Sequence, residues 1–190
     1  EHARLLDRIR NSSMLFLDLA SSINSSLDIK KIMHILTAET CQALGMKGAL
    51  IRLLNSNSGD LDLVSSYGLS EKFLAKGPVS AKRSISDTFK GDTVVVENVG
   101  DDERVQYRDA LVEEGIASMI SVPIKSKEEV IGVMRLYSGR HRKYPEEMIM
   151  LVEALAHTGA LAIQNASMFL ELQQDKENLE KDIWSHRSWF

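Results

Sequence analysis

The chain has 190 residues, of which 44% are hydrophobic and 26% charged, enough apolar material for one domain with a sizeable core. Its net charge of −4 argues against nonspecific nucleic-acid binding, which depends on clustered positive charge. The single cysteine, Cys41, excludes an internal disulfide and a cysteine zinc cage. No apolar run reaches the roughly 20 residues of a membrane span, and no signal peptide is apparent. We therefore expect a cytoplasmic protein that binds neither nucleic acid nor membrane.

The N-terminal part of the chain predicts two helices. Apolar residues recur at three- and four-residue steps from about residue 3 to residue 24, as in an amphipathic helix. NSSLD interrupts this pattern, and Asp28 is expected to cap a second helix that ends at Gly45.

The middle of the chain predicts strands interspersed with short helices. GALIRLLN and LDLVSSYG are strand-like, and SNSGD between them predicts an antiparallel hairpin. The irregular segment Gly68–Gly91 predicts two short helices, the second opened by a capping box at Ser84 and Asp87. TVVVENV predicts a strand, and DDERVQYRDALVEEG predicts a helix that ends before Gly115.

The C-terminal part predicts two strands and a long helix. ASMISVPIKS and VIGVMRLYSG are the strands, and Pro145 opens a helix through Leu172. Leu172, Lys176, Leu179 and Ile183 then continue at alternating four- and three-residue steps, the spacing of a coiled-coil seam. Strands joined mainly by hairpins predict an α+β fold around a largely antiparallel sheet of about five or six strands.

Several of these segments together resemble the GAF domain family of bacterial signalling proteins. The resemblance rests on SVPI, a short turn, IGVMRLYS, and a P-E-E opening to an Ala-rich closing helix. YGLSEKFLAKGP followed by SISDTFKGDTVVVENV is similar to the middle of these modules. The resemblance as a whole covers residues 28–170. It leaves residues 1–27 as an N-terminal helix for dimerisation or input and residues 171–190 as a C-terminal helical extension.

The resemblance implies an architecture and an assembly. The terminal helices would cover one face of the sheet, and small pocket helices would cover a small-molecule site on the other face. Most family members are homodimers joined through the terminal helices. The resemblance does not name a cofactor, so the cofactor stays unknown.

Three GAF branches with known chemistry fit the sequence poorly. The likeness to the cyclic-nucleotide branch stops at Lys72 and Phe73. Bilin attachment needs a cysteine beside the pocket, whereas Cys41 is expected on the packing side of the second helix. Reduction of free methionine sulfoxide needs pocket cysteines and acidic residues on the last strand, where this chain has Arg135 and Tyr137. We therefore expect no enzymatic activity, and the histidines show no metal-ligand spacing.

Alternation along the last strand places Arg135 and Tyr137 on the expected pocket face. Met119 and Ser121 join them from the neighbouring strand. A guanidinium binds carboxylate or phosphate groups bidentately. These residues are therefore candidates for binding a small anionic molecule.

Arg135 also has simpler alternatives. It could reach water at the edge of the sheet, or it could pair with a carboxylate such as Glu97, Asp101 or Glu113. Either arrangement would leave it without a role in ligand binding.

Three further candidates border the same expected pocket. Ser84, with the adjacent Ile85, opens a short helix whose backbone N–H groups could hold an anion, although ordinary capping is the favoured role of the serine. Tyr107 and Leu111 lie one helical turn apart and could form a lid, although plain packing against the sheet is the alternative.

Together these features predict a homodimeric, small-molecule-sensing regulatory domain of bacterial signal transduction. Ligand binding would shift the packing of the terminal helices between two arrangements. The alternative is a dimerisation or scaffold module whose pocket is filled by side chains.

Overall fold

The computed structural model describes residues 2–55, 57–80 and 86–187, so Ser84 and Ile85 lie outside the described residues. The helices are α1 (His2–Asn24), α2 (Ile29–His34), α3 (Thr40–Ala43), α4 (Glu71–Leu74), α5 (Ser86–Phe89), α6 (Arg108–Glu113) and α7 (Glu146–Arg187), with a π-helical turn, Ile35–Glu39, between α2 and α3. The strands are β1 (Gly48–Leu54), β2 (Leu61–Tyr67), β3 (Val94–Val96), β4 (Ser118–Ser126) and β5 (Glu129–Ser138).

The five strands form one antiparallel sheet in the order β2-β1-β5-β4-β3. The hairpin predicted at SNSGD is confirmed, because β1 and β2 pair from Ala49 with Tyr67 to Leu54 with Leu61. The chain therefore has the predicted α+β fold, and β5 lies at the centre of the sheet.

One face of the sheet packs on the terminal helices. Its core joins residues from α1, the second helix, the sheet and α7, among them Ile23, Leu36, Ile51, Leu136 and Leu155. Gly159 lets α7 approach closely, because a Cβ there would lie 2.4 Å from Leu36 Cδ1. Cys41 is fully buried in this core, and burial raises the pKa of its thiol to about 11.

The opposite face carries a smaller apolar cluster under α4 and α6. It includes Leu50, Phe73, Leu111, Met119 and Tyr137. This second cluster encloses the candidate site.

The second helix begins where its capping residue predicts. Asp28 Oδ1 accepts hydrogen bonds from the backbone N–H groups of Lys30 at 2.9 Å and Lys31 at 3.4 Å. The helix passes through the π-helical turn and ends before Gly45, whose φ of +59° suits a glycine.

The helix predicted over DDERVQYRDALVEEG is wrong in its first half, because α6 begins only at Arg108. Asp102 Oδ1 accepts the backbone N–H of Arg104 at 3.0 Å, a local bond that competes with helix formation. Tyr107 then adopts a left-handed conformation with φ +60° and ψ +44°. Gly115 follows the end of the helix with φ +73°, as predicted.

The closing helix and the C-terminal extension are one continuous helix, α7, of 42 residues. Its N-terminal half packs on the sheet beside α1. Within the described residues, none of the helices is both long enough and apolar enough to cross a bilayer.

Candidate functional site

A small cavity of about 10 Å³ lies between the second face of the sheet and helices α4 and α6. This volume is at the lower limit for a single water molecule. The site is therefore closed in this structure. The cavity is lined by Phe73, Lys76, Val79, Val105, Gln106, Tyr107, Leu111, Met119, Arg135 and Tyr137.

The floor of the cavity is formed by the strand residues that alternation identified. Arg135, Tyr137 and Met119 line it, and Arg135 Nε donates to Ser121 Oγ at 3.3 Å. Thr88 Oγ1 of α5 donates to the same Ser121 hydroxyl at 3.2 Å. The structure thus brings these four predicted residues together, while their contact with a ligand stays a prediction.

Burial excludes one of the two alternatives for Arg135. Its side chain is only 6% exposed, so it does not reach water at the edge of the sheet. Two of the proposed carboxylates have other partners: Glu113 accepts from Lys72 Nζ at 2.8 Å, and Asp101 accepts from Asn98. Arg135 has polar contacts of its own, among them Ser121, and its side chain lines the cavity.

Tyr137 is fully buried beside Arg135. Its ring meets that of Phe73 edge-on, with centroids 5.9 Å apart. Burial raises the pKa of the Tyr137 phenol, although the charge of Arg135 opposes this shift. Tyr137 is therefore a neutral hydroxyl at physiological pH.

Two further cations at this site were missed by the sequence analysis. Arg52 of β1 is only 5% exposed, and its Nη1 donates to the carbonyl of Leu61 at 2.7 Å. Lys76, just after α4, is half-buried with its Nζ 3.4 Å from the centroid of the Phe73 ring. The position of Arg52 could have been predicted from the sequence, because alternation in GALIRLL places it on the same face as Leu50.

The charges of the two arginines act on their cationic neighbours. Burial, together with the charges of Arg52 and Arg135, lowers the pKa of Lys76 to about 8, and Glu114 acts weakly in the opposite direction. Burial also lowers the pKa of Arg52, with a further contribution from Arg135. The field inside the cavity is therefore positive, which favours a bound anion.

Tyr107 closes the rim of the cavity. Its hydroxyl donates to the carbonyl of Pro78 at 2.9 Å, across the segment that contains Gly77. A Cβ at position 77 would lie 3.0 Å from that hydroxyl, and φ there is +118°. Tyr107 and Leu111 both line the cavity, as a lid would.

An outer groove of about 630 Å³ lies on the other side of this rim. Lys76, Val105 and Tyr107 line both the groove and the closed cavity. A rearrangement of Lys76 and Tyr107 would join the two spaces into one pocket of the size that small-molecule sites have.

The single cysteine of the chain lies away from the candidate cavity. Cys41 lies in the core on the opposite face of the sheet, and its raised pKa disfavours the reactive thiolate. In the part of the chain that the structure describes, no group of three or more His, Cys, Asp or Glu side chains could hold a metal ion.

Comparisons with known proteins agree with this architecture. The family model described as GAF domain matches residues 26–164. A comparison with curated proteins finds no match.

Solved structures with the same fold come from several bacterial proteins. The GAF domain of a phosphoenolpyruvate-protein phosphotransferase from Coxiella burnetii is 17% identical, with 84% of this chain and 96% of that chain covered and a TM-score of 0.76. Free methionine-R-sulfoxide reductase from Neisseria meningitidis, in complex with its substrate, is 18% identical, with 85% and 93% covered and a TM-score of 0.71. A domain of a putative two-component sensor histidine kinase from Sinorhizobium meliloti is 22% identical, with 77% and 98% covered and a TM-score of 0.68.

Proposed function

Because this chain belongs to the GAF domain family, we propose that it is a cytoplasmic sensory domain of bacterial signal transduction that binds a small anion beneath Tyr107. Similar structures occur in bacterial signalling proteins such as the sensor histidine kinase. In this proposal the domain recognises its ligand and transmits the bound state, without turning the ligand over.

The observation that carries the proposal is the positive charge gathered at and beside one small cavity, which Arg135 and Lys76 line. Arg52 and Arg135 are buried, and both lower the pKa of the half-buried Lys76. Concentrating like charges in a medium of low polarity is unfavourable. A bound carboxylate or phosphate would offset this cost and would accept charge-assisted hydrogen bonds.

The sheet offers a route from the cavity to the terminal helices. Arg135 lines the cavity, while the next residue, Leu136, lies in the core that joins the sheet to α1 and α7. A ligand that moves Arg135 would therefore change packing on the opposite face. The expected mechanism is a shift between two helix arrangements, driven by the difference in ligand affinity between them.

Homodimerisation is part of the proposal, and exposed apolar residues of α7 support it. Four exposed apolar residues on this helix are separated by seven, four and seven positions, the spacing of a coiled-coil seam. They are Leu161, Met168, Leu172 and Leu179.

A second candidate function, a scaffold module, is favoured by the cavity volume of about 10 Å³. In that case the side chains would fill the pocket permanently. The cations would then serve only local structure, as when Arg52 binds the Leu61 carbonyl.

A thermal-unfolding series with acetate, succinate and inorganic phosphate distinguishes the two candidates. We expect at least one of these anions to raise the Tm of the wild-type protein and to have no such effect on Arg135→Ala. Arg104→Ala is the matched control, because Arg104 is exposed and pairs with Asp102. A native mass spectrum of gently purified protein should also show a dimer, with a reproducible added mass if the ligand is retained.

Stabilisation that persists in Arg135→Ala would place anion binding elsewhere on the protein. The absence of stabilisation by any anion, in a protein that carries no added mass, would favour the scaffold module.

A further inference from the structure

Gln106 places an unpaired hydrogen-bond acceptor at the candidate cavity. Its side chain lines the cavity with Arg135 and Tyr137, and its Oε1 is buried without a hydrogen-bond partner in the described part of the chain. Buried polar atoms are nearly always paired, because an unpaired one loses its hydration without compensation. An acceptor left in this way points to a donor on the ligand.

The orientation of the Gln106 amide is set by the hydrogen bond of its nitrogen, Nε2. Nε2 donates to the carbonyl of Pro78 at 3.5 Å, a long bond at the limit of hydrogen bonding. Rotating the amide by half a turn would place Oε1 against that carbonyl oxygen, where two acceptors repel each other. The acceptor therefore stays on the buried side.

The charges around the cavity restrict the kind of donor. Arg135 lines the cavity, and Arg52 and Arg135 both disfavour the charged form of Lys76. A ligand ammonium would meet the same repulsion. The donor that fits beside these cations is a neutral group, of which a hydroxyl is the smallest, while the charged part of the ligand is an anion.

We propose that the cavity ligand is a small hydroxycarboxylate. Its carboxylate binds Arg135 and Lys76, and its hydroxyl donates to Gln106 Oε1. This assignment rests on the proposed sensory function and names the class of molecule sensed.

The same contact links the ligand to the lid. Gln106 and Tyr107 are adjacent, and both donate to the carbonyl of Pro78. A ligand admitted from the outer groove meets Lys76 and Tyr107 on the way in, since both residues line the two spaces. Its hydroxyl then engages the residue next to the lid, so recognition of the hydroxyl favours reclosure over the ligand.

Matched ligand pairs test the assignment by titration calorimetry. Propionate and L-lactate differ only by a hydroxyl, as do succinate and L-malate, and L-alanine carries an ammonium at the same position. We expect the hydroxylated member of at least one pair to bind the wild-type protein about tenfold more tightly, the usual effect of one hydrogen bond. L-alanine should bind more weakly than L-lactate.

Gln106→Met tests the residue itself, because methionine has a similar length and lacks the acceptor. We expect the variant to bind the two members of each pair equally. Its Tm without ligand should match or exceed that of the wild type, because the unpaired acceptor is gone. Gln174→Met is the control: Gln174 is exposed on α7, where it bonds to Asn178, so this variant should keep the preference.

The possible failures are distinguishable. Three results would overturn the hydroxycarboxylate assignment while leaving anion sensing intact. The wild type could bind the hydroxylated and the plain acid of each pair equally, or Gln106→Met could keep the preference for the hydroxylated acid. The third such result is tighter binding of L-alanine than of L-lactate. Stabilisation by inorganic phosphate alone, with no binding of any carboxylate, would overturn the assignment in the same way. No binding of any anion would overturn the sensory function together with it.

Discussion

Lys76 makes the charge of the cavity sensitive to mildly alkaline pH. Burial and the charges of Arg52 and Arg135 lower its pKa to about 8, well below the ordinary value of 10.5. In the proposed site, a bound anion would stabilise the ammonium and raise this pKa again, so binding would take up a proton once the pH exceeds about 8. The affinity for the anion is then expected to be highest below this pH and to fall as the pH rises through it.

We expect succinate to bind the wild-type protein about tenfold more weakly at about pH 9.5 than at about pH 7, the cost of one charge-assisted contact. Lys76→Met should bind weakly at both values, without this decline. Lys72→Met is the control, because Lys72 is exposed and pairs with Glu113. Titration calorimetry measures the succinate affinity of each protein at the two pH values. A loss of affinity in Lys76→Met as large as in the wild type would assign the pH dependence to another group.

Some site residues could be predicted from the sequence, and others required the fold. Arg135 and Tyr137 follow from alternation in one strand, because strand geometry fixes which side chains share a face. Lys76 and Gln106 lie in loops that are remote in sequence and meet only when α4 and α6 fold over the sheet. No local sequence pattern predicts that two such distant residues line the same cavity.

Among the secondary-structure elements, α7 depends on one small residue for its place against the second helix. Gly159 is buried, and a Cβ there would lie 2.4 Å, 2.9 Å and 3.1 Å from three atoms of the Leu36 side chain. Leu36 is itself fully buried, so it has no open space into which to move.

Gly159→Ala should lower the free energy of unfolding by about 1–3 kcal/mol through overpacking, although alanine favours a helix more than glycine does. Glu153→Ala, at an exposed position of the same helix, should leave stability unchanged or slightly increase it. Urea unfolding of both variants measures the difference. A Gly159→Ala protein as stable as Glu153→Ala would show that α7 adjusts freely against the second helix.

The secondary-structure predictions were correct where residues within the element itself determine the structure. Asp28 caps its helix with its own carboxylate, and the hairpin follows from the residues of its turn. The helix over DDERVQYRDALVEEG failed because its acidic opening also suits a turn, which Asp102 and the left-handed Tyr107 form instead. Tyr107 also donates to the carbonyl of Pro78, a partner distant in sequence that the segment itself does not reveal.

At the scale of the whole molecule, the exposed side of α7 is expected to hold two copies together. Leu172 and Leu179 are 66% and 63% exposed, and a coiled-coil seam would bury both. We expect Leu172→Asp combined with Leu179→Asp to shift the native mass spectrum from dimer to monomer. Val64→Asp, on the exposed face of the edge strand β2, should remain dimeric, and a dimeric double variant would place the interface elsewhere.

The length of α7 gives small movements near the sheet a large effect at the far end of the helix. Its residues 170–181 are exposed, and the helix continues to Arg187. At a rise of about 1.5 Å per residue, the part from residue 170 onward projects roughly 27 Å. A tilt of about 5° where the helix meets the sheet would sweep its tip sideways by about 2 Å, on the order of the shifts that separate two packed helix states. The helix would thus act as a lever arm with its fulcrum where it leaves the core beyond Ala166, and it would magnify displacements too small to disturb that core.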